Sequence, residues 1–168
     1  MSVCALSAAT LNEYVGKTIS EICSFGYTDD DDNHCAHFVS HVLTFEFGYT
    51  CKGGKGGRNV RVKETFERCP QVGVWADRNT ESCLVFVTKA SNVNVKTKVM
   101  SNVPRKHIGI YVNGAIWHYS NSRDKVVTQT PEEFIKHYPT QTNALFFGTF
   151  PSPATVVPFA DAKAKPAA

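Results

Sequence analysis

The stretch KHIGIYVNGAIWHYS, residues 106 to 120, leaves a chain little conformational choice. Two short alternating runs flank Asn113-Gly114, the dipeptide that enters the two-residue hairpin turn most readily. With those residues as the loop, Val112 lies opposite Ala115, so His107 falls opposite Ser120 and His118 opposite Gly109. The two histidines then share one face of adjacent strands, on a diagonal of about 7–8 Å between backbones. A glycine opposite His118 leaves room for both imidazole rings.

The same period of two runs from residue 83 onward. CLVFVT, VNVKTKV, HIGIYV, AIWHYS, KVVTQ and NALFFGTF are short, β-branched or aromatic, and divided by turn residues. Before them the period is helical. Leu11, Tyr14, Val15, Ile19 and Ile22 predict a helix over 10–25, with Thr10 and Glu13 as its capping box and Gly26 as its stop. Asn33 is placed to cap a second helix whose apolar face is Phe38, Val39, Val42 and Leu43. A short helix is expected in VRVKETFERC. A late one is expected in PEEFIKHY, with Thr130 as N-cap, Pro131 in the first turn and Glu133 closing the box. Helices first and an antiparallel sheet of five or six strands afterwards make an α+β arrangement.

A chain of 168 residues is long enough for one domain with its own core, and residues 1–150 are read as that domain. Residues 151–168, rich in proline and alanine, read as a loose tail. A net charge of +3 is too small to argue for nucleic acid. No apolar run approaches a membrane span, and the first residues lack the pattern of a cleaved signal peptide, so synthesis in the cytoplasm is expected. The glycine-rich CKGGKGGRN, residues 51–59, lacks the order of a phosphate loop and reads as a flexible connection. Six cysteines, at 4, 23, 35, 51, 69 and 83, show no CxxC pair and no zinc spacing, and leave disulfide formation open.

DDDDNHCAHFVSHVL, residues 29–43, crowds four aspartates, three histidines and a cysteine together. Cys35 falls at a predicted helix start, where free N–H groups and the helix dipole favour a thiolate and can receive an oxyanion. It needs a histidine base held by a third polar group, and His107 with His118 offers that geometry. His34, His37 and His41 form a stripe on the same helix, but the glutamate of an HExxH metal motif is absent. Asp29 to Asp32 lack the alternating spacing of a calcium loop and read as a solvated, capping acidic segment. No metal site is therefore expected.

A helix-start cysteine, then a strand beginning HIGIYV, then a hairpin into a strand ending WHYS resembles the NlpC family of papain-like cell-wall peptidases. The resemblance implies Cys35 as nucleophile, His107 as base and His118 as its orienter, on a papain-like α+β fold. Tyr27 and His37 are candidates near the oxyanion. CLVFVT stands where the family has a strand reading GDLVFF. The chain departs at the nucleophile, with His34-Cys35-Ala36-His37 in place of the usual DCSG. Implied further are amide hydrolysis in peptidoglycan peptides through a thioester, no metal or organic cofactor, no nucleic-acid or membrane partner, and a monomer. A small enzyme of this kind resembles amidase effectors delivered by type VI secretion, which pair with an immunity protein, and phage lysis enzymes. Two other readings stay open. NHCAHFV echoes the NCEHFV of lecithin:retinol acyltransferase-like enzymes, in which the histidine strand precedes the cysteine. A silent binding module on the same fold is the other.

Overall fold

The computed structural model describes residues 6–24, 34–44 and 61–151. Tyr27, the acidic run, Asn33, the glycine-rich connection and the tail from residue 152 lie outside the described residues. Among the described residues four short helices come first: α1 (Ala8–Asn12), α2 (Ile19–Ile22), α3 (Cys35–Leu43) and α4 (Val62–Arg68). They are followed by β1 (Val72–Val74), β2 (Ser82–Thr88), β3 (Val93–Asn94), β4 (Val99–Met100), β5 (His107–Val112), β6 (Ala115–Ser120), β7 (Lys125–Gln129), α5 (Pro131–Phe134) and β8 (Ala144–Gly148). Six strands form one antiparallel sheet in the order β1-β8-β2-β5-β6-β7, and β3 with β4 makes a separate two-stranded ribbon. The α+β expectation of helices on an antiparallel sheet holds at that level. None of the described helices is long and apolar enough to cross a membrane.

The single helix expected over 10–25 is two helices. Ser7, not Thr10, caps α1, its Oγ accepting from the Thr10 N–H. The chain then turns through Gly16 at φ +85°, a left-handed conformation that glycine adopts without penalty. Gly16 N–H donates to Val126 O at 2.9 Å and Val126 N–H returns to Lys17 O at 3.0 Å, so the break ties the N-terminal segment to β7. The capping box belongs to α2, between Thr18 and Glu21. Thr130 and Glu133 cap α5 as expected, but that helix ends at Phe134 instead of running to Tyr138. β1 was not foreseen; its three residues pair with β8.

Strand alternation divides the core between the two faces of the sheet. Leu84, Phe86, Ile108, Ile110, Trp117 and Tyr119 meet Leu11, Ile19, Phe38, Val39 and Phe66 of the helices. Cys83, Val85, Val87, Tyr111, Ile116 and Phe147 occupy the other face and meet Phe134 of α5. Both faces being covered, β2 and β5 are buried along most of their length and read as continuous apolar runs. Each fully covered Phe or Leu of this core contributes roughly 1.5–3 kcal/mol.

The Asn113-Gly114 hairpin has the expected register, Val112 opposite Ala115 and Ile110 opposite Trp117. The ladder stops there, so the further His118–Gly109 and His107–Ser120 pairings do not form. Asn113 and Gly114 both take positive φ, 47° and 96°, as the turn requires. Gly109 sits in a tight niche: a Cβ there would stand 2.6 Å from Ile116 Cγ2, 3.1 Å from Trp117 O and 3.2 Å from His118 Cβ. Gly109→Ala is expected to destabilise the protein by about 1–3 kcal/mol through overpacking against backbone and branched atoms. Urea unfolding of the variant measures this directly, and an unchanged midpoint would refute it.

Candidate active site

Cys35 is the first residue of α3, and β6 with its following turn holds that helix start in place. The His34 N–H donates to Asn121 Oδ1 at 3.1 Å. Tyr119 Oη accepts from the Ile19 N–H at 2.9 Å and donates to Asp124 Oδ1 at 2.5 Å, tying α2 to the same turn. His34, not Asn33, occupies the N-cap position of α3.

The backbone N–H groups of Ile108, Ala36 and Cys35 itself act on the Cys35 thiol in favour of its anion. Ile108 follows His107 directly, so the thiol lies near the first peptide of β5, but on the helix side of the sheet with Ile108 and Ile110. His107 and His118 lie on the α5 side with Val87 and Phe134, and the structure does not bring the thiol to them. Cys35 is 1% exposed. Burial pushes its thiol up to about 12, outweighing those N–H groups and the Arg61 charge, which act downward. The thiolate expected from the helix start is therefore a protonated thiol in this state: desolvation exceeds the helix-start effect.

His107 and His118 meet as the shared face requires. His107 Nε2 and His118 Nδ1 are 2.9 Å apart, with the rings edge to face at 4.9 Å. His118 Nε2 lies 2.7 Å from Gln129 Oε1 on β7. The tautomers follow along this relay. The Gln129 oxygen can only accept, so His118 carries its proton on Nε2 and accepts through Nδ1. His107 then donates through Nε2, which leaves Nδ1 as a lone pair. That atom, His107 Nδ1, is buried without a hydrogen-bond partner. Burial first, then His118 and His137, hold His107 well below the usual histidine range. Burial also lowers His118, to about 4, against the Gln129 bond, which acts upward.

Sequence reasoning missed Gln129 and His137. His137 stacks on His107 with centroids 3.9 Å apart and planes 10° from parallel, and Phe134 packs beside both rings of the pair. Gln129 could have been found from the β6–β7 register, which sets it opposite Ile116, two positions along the strand from His118. That register depends on the turn at residues 121–124. His137 carried no such signal, because it lies past the end of α5.

His37 went elsewhere. Its Nδ1 is 3.0 Å from His34 Nδ1 and its Nε2 is 3.1 Å from His41 Nε2, so both ring nitrogens face the helical stripe. The six histidines of the chain thus form two triplets, one on α3 and one on the far face of the sheet. The β3–β4 ribbon packs on α4, where Met100 N–H donates to Glu67 Oε2 and Lys98 Nζ donates to Cys69 O. The histidine pair is covered by Phe134 and His137. An apolar groove of about 690 Å3, lined by Val74, Trp75, Val93, Ile135, Leu145 and Phe146 among others, contains none of Cys35, His107 or His118.

Comparison with known proteins adds no relative: no family model, no curated protein and no solved structure matches the chain.

Proposed function

We propose that this chain is a papain-like cysteine hydrolase of the NlpC type that cleaves amide bonds in peptidoglycan peptides. One observation carries the reading: a Gln129–His118–His107 relay ends in an unpartnered Nδ1 on the residue whose next peptide N–H favours the Cys35 thiolate. A general base needs that free lone pair, fixed in tautomer by the group behind it.

The reaction balances without a metal or organic cofactor. Once the His107 side chain has turned round the start of β5 to the helix side, its Nδ1 takes the Cys35 proton as Sγ attacks the amide carbon, and the backbone N–H groups of Cys35 and Ala36 receive the developing oxyanion. The intermediate collapses to a thioester as the C–N bond breaks, and His107 returns the proton to the leaving amine. Water then adds to the thioester with His107 again as base, releasing the acid and restoring the thiol. Cys35 and His107 are buried on opposite faces of the sheet in the state described, so the reaction requires His137 to swing aside and the His107 ring to move to the thiol as substrate enters. Delivery to the cell wall, by secretion with an immunity protein as partner or by phage lysis, belongs to the same proposal.

The test is incubation of the purified protein with Gram-negative sacculi, wild type beside Cys35→Ala, with mass spectrometry of released muropeptides. Release by the wild type and at least ~10³-fold less by Cys35→Ala is expected, since the nucleophile itself is lost. No release by either protein sinks the reading. Acyl transfer from phosphatidylcholine vesicles in the same preparation would move the assignment to the lipid acyltransferases.

A further inference from the structure

The second histidine triplet takes no part in this chemistry, and a cysteine from another element joins it. His37 and His41, four residues apart, share one face of α3. Cys23, at the C-cap of α2, is turned to that face and is buried. One atom from each, Cys23 Sγ and a ring nitrogen of His37 and His41, lies within 4.8 Å of the others. From this geometry we propose that Cys23, His37 and His41 bind a Zn²⁺ ion that fastens α2 to α3.

The distances fit the ion. Nitrogen ligands at about 2.0–2.1 Å from a tetrahedral zinc stand roughly 3.3–3.4 Å apart. The His37 and His41 Nε2 atoms are 3.1 Å apart already. The thiol has to close by about an ångström, to the roughly 3.6 Å edge that a sulfur and a nitrogen share in such a site. One thiolate with two imidazoles is a borderline-soft set suited to zinc or cobalt and unsuited to calcium or magnesium. The outer partner is present as well: His34 Nδ1 lies 3.0 Å from His37 Nδ1, where it accepts the ring proton and leaves His37 Nε2 as the ligand. Binding releases one proton, from the Cys23 thiol, and solvent takes the fourth position. A four-residue helix is marginal by itself, and a link to α3 would hold α2 beneath the turn that carries the nucleophile. The i, i+4 histidines were visible in the sequence; the cysteine fourteen residues upstream of His37 fits no standard spacing, and only the fold brings it in.

The full chain, stripped with chelator, is titrated with Zn²⁺ and separately with Co²⁺. One equivalent of zinc per chain is expected, raising Tm by about 5–10 °C at a hundredfold excess over Kd. Cobalt should give intense four-coordinate visible bands and a thiolate-to-cobalt charge-transfer band. Cys23→Ala is expected to abolish the charge-transfer band, and His41→Ala, at a half-buried position that tolerates change, to weaken binding at least ~10-fold. Cys35→Ala should leave both signals intact, which separates this site from the catalytic reading. The site is overturned by absence of uptake, by a charge-transfer band that survives Cys23→Ala or disappears in Cys35→Ala, or by unchanged affinity in His41→Ala.

Discussion

His107→Ala is expected to lower kcat/KM on muropeptides by about 10³–10⁴-fold, with little loss of folded protein at pH 7.5. In the proposed mechanism the thiol is buried and protonated, so attack depends on proton removal by His107 during the step, and removal of that acceptor leaves water to do it. The double variant with Cys35→Ala should be no worse than Cys35→Ala alone, because the two residues act as a unit. In the same proposal His118 positions His107, and its expected signature differs. His118→Ala should cost roughly 10–100-fold and also move the acid limb of kcat/KM to higher pH. The sign follows from the causes: burial, His118 and His137 all hold His107 low, so removing one neighbour lets it rise toward 6.5. Wild-type kcat/KM should therefore stay level from pH 8 to below 6.5. A His107→Ala enzyme with more than a tenth of wild-type activity would remove His107 from the mechanism. A His118→Ala profile that falls in amplitude without shifting would reduce His118 to a packing role.

How much of this could be read from residues alone depends on how local the determining physics is. The Asn113-Gly114 turn is local, and it fixed a register that put His107 and His118 on one face before any fold was known. The rings meet at 2.9 Å even though the ladder stops three pairs from the turn. The Thr130–Glu133 cap is equally local, and it formed. The N-terminal helix failed because Gly16 is punctuation whose force depends on β7, a strand more than a hundred residues away that takes its N–H. β1 escaped notice because its three residues acquire a partner only when β8 arrives. Long-range burial is least legible of all. The helix-start argument for a Cys35 thiolate was sound in its local terms, and it lost to desolvation that only the packed sheet and helices impose. Cys23 beside His37 and His41, and Gln129 behind His118, are tertiary facts of the same kind.

Those buried imidazoles also make acid stability a sharp expectation. His118 is held down to about 4, and His107 well below the usual range, both chiefly by burial. In the unfolded chain each titrates near 6.5. Above that pH neither state binds the protons and no stability is lost. As pH falls through 6.5 the unfolded state takes them up and the folded state does not, so unfolding becomes more favourable. For His118 the loss continues until pH about 4, where the folded state also binds; at about 1.4 kcal/mol per pKa unit it amounts to about 3–4 kcal/mol. His107 adds in the same direction over a wider range. His37, held down to about 3 by burial, and His137, also lowered by burial, add in the same direction. Stability should therefore begin to fall near pH 6.5, before the carboxylates protonate, with a slope between pH 6 and 5 of about three protons. Urea unfolding at pH 7.5, 6, 5 and 4, in chelator so that metal binding does not contribute, measures it. His118→Gln should reduce that slope by about one proton while leaving the pH 7.5 midpoint close to that of the parent. A curve that stays flat from pH 7 to pH 5 would mean that His107 and His118 are protonated within the fold, and a protonated His107 could not act as the base that Cys35 requires.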